Sequence, residues 1–477
     1  MKKDLGVLLS VSSLPSNHGI GDFGESCYRF VDWLYQHDYK YWQVLPLNPL
    51  GPGFSPYMST CSNAIDYRYI SLDFLSKEGL LDRVPQHNKN TTKVDFYDVG
   101  QYKDKYLRKA YKRFIKLHKE TLHKFKYREP WVNAYATFEV FKAKNDNKTW
   151  NEWVEEDRDY YFNHNKPPKS LMDEINYVIF LQYVALKQWK RVLHYAKKRE
   201  IKIICDMPFY VGFDGVEVWL NRDQFSVGKD NKLFEVGGVG PDAFSDVGQL
   251  WGTPIYNFEK MKLDNYKLLV DRVGYLSNLC DLLRIDHFRA FDTYYVIPAN
   301  EETAKNGEWK LGPAYDFFDK LYAKYPKMQL IAEDLGELRP EVLTLRDHYH
   351  LPGMFISQFT IFDMNNSSTD QQIVYPGTHD NETLWGWYNS LKEDQLKFLE
   401  WRMNEYNRDN LYDAIVKYIL TIPSKMTIFQ MQDLLKLGNE ARMNYPGTVG
   451  DPNWTWKLAS WDFVDKIIYP KKEWNLE

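Results

Sequence analysis

At 477 residues the chain is longer than most single domains, yet a barrel with insertions absorbs that length as one folding unit. A net charge of −4 offers no basic surface to nucleic acid or to an anionic membrane, and no stretch reaches the roughly twenty apolar residues of a membrane span. Four scattered cysteines, Cys27, Cys61, Cys205 and Cys280, contain no Cys-x-x-Cys pair, which argues against a disulfide framework or a cysteine zinc site.

Residues 6–11 read as a first buried strand, 18–24 as a glycine-rich turn and 26–36 as a helix. Residues 41–47 make a second strand, ended by the prolines and glycines of 49–56. Strand, helix and strand at this spacing form a right-handed parallel crossover. The early apolar run is interrupted by Gly6 and followed by Ser12-Ser13-Leu14-Pro15 instead of a small-residue cleavage site, so a cytoplasmic location is the expectation.

From 72 to 168 the pattern turns helical and reads as a mainly helical insertion. Tyr106 or Leu107, Ala110, Phe114 and Leu117 recur every three to four residues, and Lys103, Arg108, Lys112 and Lys116 read as a solvated face rather than a nucleic-acid site. A helix over 175–199 then leads to a strand over 201–206 that ends in Asp206. Residues 211–260 read as a second insertion, an aromatic- and glycine-rich loop over the active site. Its run 236–242 is a poor phosphate loop, because Pro241 and the lack of a following apolar helix deny it a helix N-terminus. Helices over 263–280 and 313–325 precede strands over 282–286 and 328–332, and a helix after Arg339 precedes a strand over 354–359. Strands at 373–375 and 425–430 complete about eight strand-like segments in alternation with helices. The expected fold class is α/β: a (β/α)8 barrel forming one catalytic domain over 1–477. Only about twenty residues follow Trp456, too few for a C-terminal β-sandwich.

Four of these strands end in acids, the first of them at Asp206. Arg284 lies two residues before Asp286 and points the same way from a strand, so the cation can hold that carboxylate ionised. The strand over 328–332 runs into Glu333, and the one over 373–375 into His379 and Asp380. A closed parallel barrel brings all its strand ends to one face, so Asp206, Asp286, Glu333 and Asp380 converge. Carboxylates without a histidine or cysteine cluster leave two options, a hard-cation site for magnesium or calcium, or proton and glycosyl chemistry. Hydrolytic zinc is disfavoured, since there is no His-x-x-x-His and His348-Tyr349-His350 falls in a helix-to-strand connection. For sugars, a carboxylate kept ionised by Arg284 can attack an anomeric carbon while a less compensated one protonates the leaving oxygen. His287 and His379, beside two of the acids, could donate to sugar hydroxyls. The sixteen tryptophans and thirty-five tyrosines suit sugar faces as well as a core.

These segments resemble the signature regions of the α-amylase superfamily, and specifically of the amylomaltase family of 4-α-glucanotransferases. The resemblance spans nearly the whole chain: Ser12-Ser13-Leu14-Pro15, 19–24 and Ser55-Pro56-Tyr57; Asp206-Met207-Pro208, 241–245 and 248–252; Arg284-x-Asp286, 332–336 and 377–381; 442–448 with Asn453-Trp454. It implies a retaining enzyme that transfers α-1,4-glucan segments between donor and acceptor glucans or maltooligosaccharides, with no cofactor and no metal. By the same resemblance Asp286 is the nucleophile, Glu333 the general acid/base and Asp380 the carboxylate that stabilises the transition state. Arg284, His379 and Asp206 match positions around the donor sugar, and Tyr57 and Trp251 match loop positions that contact substrate. Two departures stand out. The Asn-His pair that amylases carry after the first acid is absent after Asp206, and Lys457 follows Trp456 where the family usually has arginine.

Overall fold

Twelve strands run through the described residues: β1 (Asp4–Leu8), β2 (Tyr41–Gln43), β3 (Lys202–Met207), β4 (Glu235–Val239), β5 (Gln249–Pro254), β6 (Leu282–Ile285), β7 (Thr293–Pro298), β8 (Glu308–Leu311), β9 (Leu330–Ala332), β10 (Gly353–Ile356), β11 (Gln372–Tyr375) and β12 (Met426–Gln430). The computed structural model describes residues 3–87, 91–241, 246–365, 367–406, 410–462, 467 and 469–470. Residues 242–245 of the 241–245 motif therefore lie outside the described residues.

Eight strands pair in the order β10-β11-β12-β1-β2-β3-β6-β9, every pair parallel. The two edges approach where the Ala332 amide donates to the Pro352 carbonyl at 2.9 Å, so the sheet is a nearly closed barrel. Alternate side chains fill its interior: Leu8, Tyr41, Ile204, Leu282, Ile331, Met354, Ile356, Ile373, Tyr375, Met426 and Ile428 form one buried cluster. Gly6 makes room in that layer, since a Cβ there would come within 2.9 Å of the Tyr41 Cβ. The residues between, among them Val7, Trp42, Ile203, Leu283 and Val374, face the other way and join the larger core under the helices.

The second sheet was not apparent in the sequence. Strands β5-β4-β7-β8 pair antiparallel, so 211–260 is not merely a loop: it supplies β4 and β5, and the stretch after Asp286 supplies β7 and β8. Glycines disguised β4. A Cβ at Gly238 would lie 2.2 Å from the Gln249 carbonyl oxygen, so glycine there serves close approach between strands, not a turn.

Between 72 and 168 the chain forms the helices Leu72–Lys77, Phe96–Arg128 and Trp131–Lys144 with shorter turns, and the two long ones pack on the helix Met172–Lys198. Two sequence assignments need correction here. Leu117 is 70% exposed, because the helix kinks at His118 (φ −135°) and the apolar stripe resumes at Leu122 and Phe125. Lys103 is fully buried, not solvated: its Nζ donates to Asp22 Oδ2 at 3.1 Å and to the carbonyls of Arg68 and Ile70. Lys457 is likewise buried, and its Nζ donates to the carbonyls of Thr91 and Leu458, joining 91–94 to the C-terminal segment. His348 and His350 are exposed at the surface.

Removing one partner of a buried ion pair strands the other charge in low dielectric. Lys103→Ala should therefore lower the unfolding free energy by about 3–5 kcal/mol, read as a shift of the urea midpoint. A midpoint within error of wild type would show that Asp22 does not depend on this cation.

Candidate active site

Strand register builds the site. Asp206 of β3 is the direct partner of Arg284 of β6, and both point into the barrel mouth because Ile204 and Leu282, two residues earlier, fill its interior. Arg284 Nη1 donates to Asp206 Oδ1 at 2.7 Å and Oδ2 at 2.8 Å, and to Asp286 Oδ1 at 2.9 Å. One guanidinium thus holds two carboxylates. It occupies the space where a hard cation would have to sit between them, which favours glycosyl chemistry over the metal alternative. The next register step, Ile285 against Ala332, sets Glu333 beside Asp286, and the Glu333 amide donates to the Ile285 carbonyl at 3.0 Å.

His287 has φ +53°, a left-handed conformation that costs a non-glycine residue energy. This turn aims the His287 amide at Glu333 Oε2, at 2.7 Å. Oε1 of Glu333 has no partner among the described residues. The His287 ring lies edge-on to Trp251 of β5, with centroids 4.9 Å apart, so the second sheet reaches the catalytic loop here. Burial pushes the His287 imidazole down to about 3, so it is neutral.

Burial also raises both acids, Glu333 to about 8 and Asp286 to about 7. For Glu333 the negative charge of Asp286 adds to the rise; the positive charge of Arg284 draws both acids back down, and its direct hydrogen bond lowers Asp286 further. The two titrate as a pair. The proton they share sits on Glu333, which has one backbone amide and no cation in contact.

Asp380 follows β11 and is more open than the other two aspartates, with its side chain 41% exposed against 29% for Asp286 and 0% for Asp206. Asn444 Nδ2 donates to its Oδ1 at 2.6 Å, and Arg442 Nη2 donates to its main-chain carbonyl at 2.6 Å. Tyr57 Oη donates to Asp206 Oδ2 at 2.8 Å. That leaves His379 Nε2–H to donate to Tyr57 Oη at 2.9 Å and fixes the tautomer with Nδ1 bare. Burial lowers the pKa of His379, in keeping with a neutral ring. The Tyr57 ring stacks on His379 at 5.3 Å and 15°, with Trp454 beside both.

The structure thus gathers Tyr57, Asp206, Arg284, Asp286, His287, Glu333, His379 and Asp380 at one end of the barrel, with Trp251 against His287. Asn444, Arg442 and Trp454 join them, although the sequence reading gave them no role. The only signal for them was the motif 442–448 with Asn453-Trp454.

A family profile described as 4-alpha-glucanotransferase, that of glycoside hydrolase family 77, matches residues 9–462. The 4-alpha-glucanotransferase of Aquifex aeolicus is 37% identical over 480 aligned positions, covering 98% of this chain and 97% of that one. The protein of the same description from Streptococcus pneumoniae is 36% identical, with coverages of 96% and 94%. The structure of amylomaltase from Streptococcus agalactiae in complex with acarbose superposes with a TM-score of 0.91 at 34% identity, covering 97% of this chain and 96% of that one. Amylomaltase from Corynebacterium glutamicum, at 17% identity and TM-score 0.75, shares the fold over 96% of this chain and 71% of its own.

Both raised acids bind their proton more tightly in the folded than in the unfolded chain. Their stabilising contribution is full below their ordinary values, near 4.5 for Glu333, and is lost as pH climbs through about 7 and about 8. Glu333→Gln removes one of the two. The variant should lose less stability than wild type between pH 4.5 and pH 8 and should melt at a higher temperature at pH 8. Parallel curves of Tm against pH for the two proteins would mean that Glu333 titrates like an exposed carboxyl.

Proposed function

The chain belongs to the 4-alpha-glucanotransferase family, and we propose that Asp286 is its nucleophile, Glu333 its general acid/base and Asp380 the carboxylate that steadies the transition state. The enzyme transfers α-1,4-glucan segments with retention, through a covalent glucosyl-enzyme intermediate. The observation that carries the assignment is the unequal treatment of two neighbouring acids: Arg284 holds Asp286, and among the described residues no cation contacts Glu333.

In the first half-reaction Asp286 attacks the anomeric carbon as the glycosidic bond breaks, and Glu333 gives its proton to the departing oxygen. Oδ1 of Asp286 is held by Arg284, which leaves Oδ2 to attack. Oε2 of Glu333 accepts from His287, which leaves Oε1 to carry the proton. Once Asp286 becomes an ester its charge is gone, and with it one of the causes that raised Glu333. Glu333 is then a carboxylate and takes the proton of an acceptor hydroxyl as that oxygen displaces Asp286. No cofactor is needed, because side chains supply every charge the two steps use.

Asp206, Arg284, Tyr57 and His379 act as one hydrogen-bonded unit on the donor-sugar side. The Tyr57 ring lies against His379, so its contribution is to lock that unit. Trp251, on β5 and against His287, is placed to meet the acceptor, giving a sugar face an apolar ring in a cleft partly closed to water. The substrates in this reading are maltooligosaccharides and the glucans of glycogen or starch. A cytoplasmic location fits four free cysteines, and the early apolar run is a barrel strand.

Incubation with maltotriose should give glucose and a ladder of longer maltooligosaccharides with little gain in reducing ends, since each transfer conserves glycosidic bonds. A steady rise in reducing ends without longer products would mean that water wins and the enzyme is a hydrolase. Asp286→Ala should lower turnover at least about a thousandfold with an unchanged circular dichroism spectrum. A variant retaining several per cent of wild-type kcat would remove Asp286 from the role of nucleophile.

A further inference from the structure

We propose that Arg289 is a positioning residue that clasps the loop carrying Glu333 to Trp309, and so fixes the acid/base against the sheet that bears Trp251. The proposal rests on the assignment of Glu333 made above. The loop leaves β9 at Ala332 and is tied at its start: the Glu333 carbonyl accepts from the Phe288 amide at 3.1 Å, and Oε2 accepts from the His287 amide. Asp334 faces away from the site, bound to Arg346 and to the Met354 amide. Leu335 packs on the barrel's interior cluster, and past it the loop has little support. Gly336 has φ +86°, and a Cβ built there would meet nothing within 4 Å. The next restraint is Arg289, whose Nη1 donates to the Glu337 carbonyl at 2.7 Å.

Arg289 lies in the short 3-10 helix Phe288–Phe291, two residues after His287. Its guanidinium carbon sits 3.9 Å from the centroid of the Trp309 ring. Trp309 is on β8 of the second sheet, braced by Tyr295 of β7 at 5.0 Å. A flat guanidinium can lie on an indole face and still donate along its own plane, and the more compact lysine ammonium cannot do both. One side chain therefore joins three parts: the catalytic turn after β6, the far end of the acid/base loop and the sheet on the acceptor side. Nothing in the proton transfers uses Arg289, and the charges around it are Asp292, Glu337, Arg339 and Glu333 itself.

Such a clasp acts through Glu333, so its loss should appear only where a proton must reach the leaving group. With maltotriose, the C1–O4 bond breaks and Glu333 protonates O4. With α-maltotriosyl fluoride, the C1–F bond breaks, Asp286 bonds to C1, and fluoride leaves as the anion without a proton. First-turnover rates on both donors should be measured for wild type, Arg289→Ala, Arg289→Lys, Trp309→Ala and Glu333→Gln, with circular dichroism to verify folding. Arg289→Ala should lose about 30- to 100-fold on maltotriose and stay within about threefold of wild type on the fluoride. Arg289→Lys and Trp309→Ala should show the same donor dependence with smaller losses. Equal losses on both donors for Arg289→Ala, a wild-type rate on maltotriose, or a wild-type Arg289→Lys would each overturn the clasp. If Glu333→Gln itself failed to separate the two donors, the assignment of Glu333 would fall first and the proposal with it.

Discussion

The guanidinium of Arg284, shared between Asp206 and Asp286 in the barrel mouth, is the contact on which the rest of the site depends. Its side chain is 3% exposed, and that of Asp206 not at all. Charges so deeply placed persist only when paired and hydrogen-bonded, because removing either partner leaves the other unsolvated. Tyr57 joins the unit through Asp206 and His379 through Tyr57; that chain of donors puts a hydrogen on His379 Nε2, and burial favours the neutral ring. A single cation, delivered by the pairing of β3 with β6, thus orders residues from four separate parts of the sequence.

The same cation makes two similar acids different. Burial alone would leave Asp286 and Glu333 competing for one proton. Of the two, only Asp286 is hydrogen-bonded to Arg284, which favours the proton on Glu333 and the charge on Asp286. The difference is also reversible. In the proposed mechanism the esterification of Asp286 removes its charge, and Glu333 loses part of the reason for holding a proton. Acid and base are then one residue at two stages of the cycle, with the switch built into the coupling between the pair.

The barrel supplies the charges, and the antiparallel sheet β5-β4-β7-β8 supplies the surroundings. Its β5 brings Trp251 to His287, and its β8 presents Trp309 to Arg289. In the proposed transfer a sugar hydroxyl, not water, must reach the intermediate, and walls of this kind would raise the effective concentration of a bound acceptor. The strained His287 sits where barrel and sheet meet: its amide holds Glu333 while its ring meets Trp251.

By itself the sequence determined the barrel, since eight apolar segments alternating with helices admit few other closures, and it determined the acids at the strand ends, since spacing along a strand fixes which face a side chain takes. It also fixed Arg284 and Asp286 as a pair, because residues two apart along an extended strand point the same way. Tertiary structure decided what depends on pairing between distant segments. That Arg284 also holds Asp206 comes from the register of β3 on β6, and that Glu333 lies beside Asp286 comes from the register of β6 on β9. The second sheet was hidden because β4 is rich in glycines that permit close strand approach, a property invisible until its partner is in place. Asn444 against Asp380 and Lys103 inside a helix face were likewise decided by what folded against them, because burial and hydrogen bonding belong to pairs of segments and not to one.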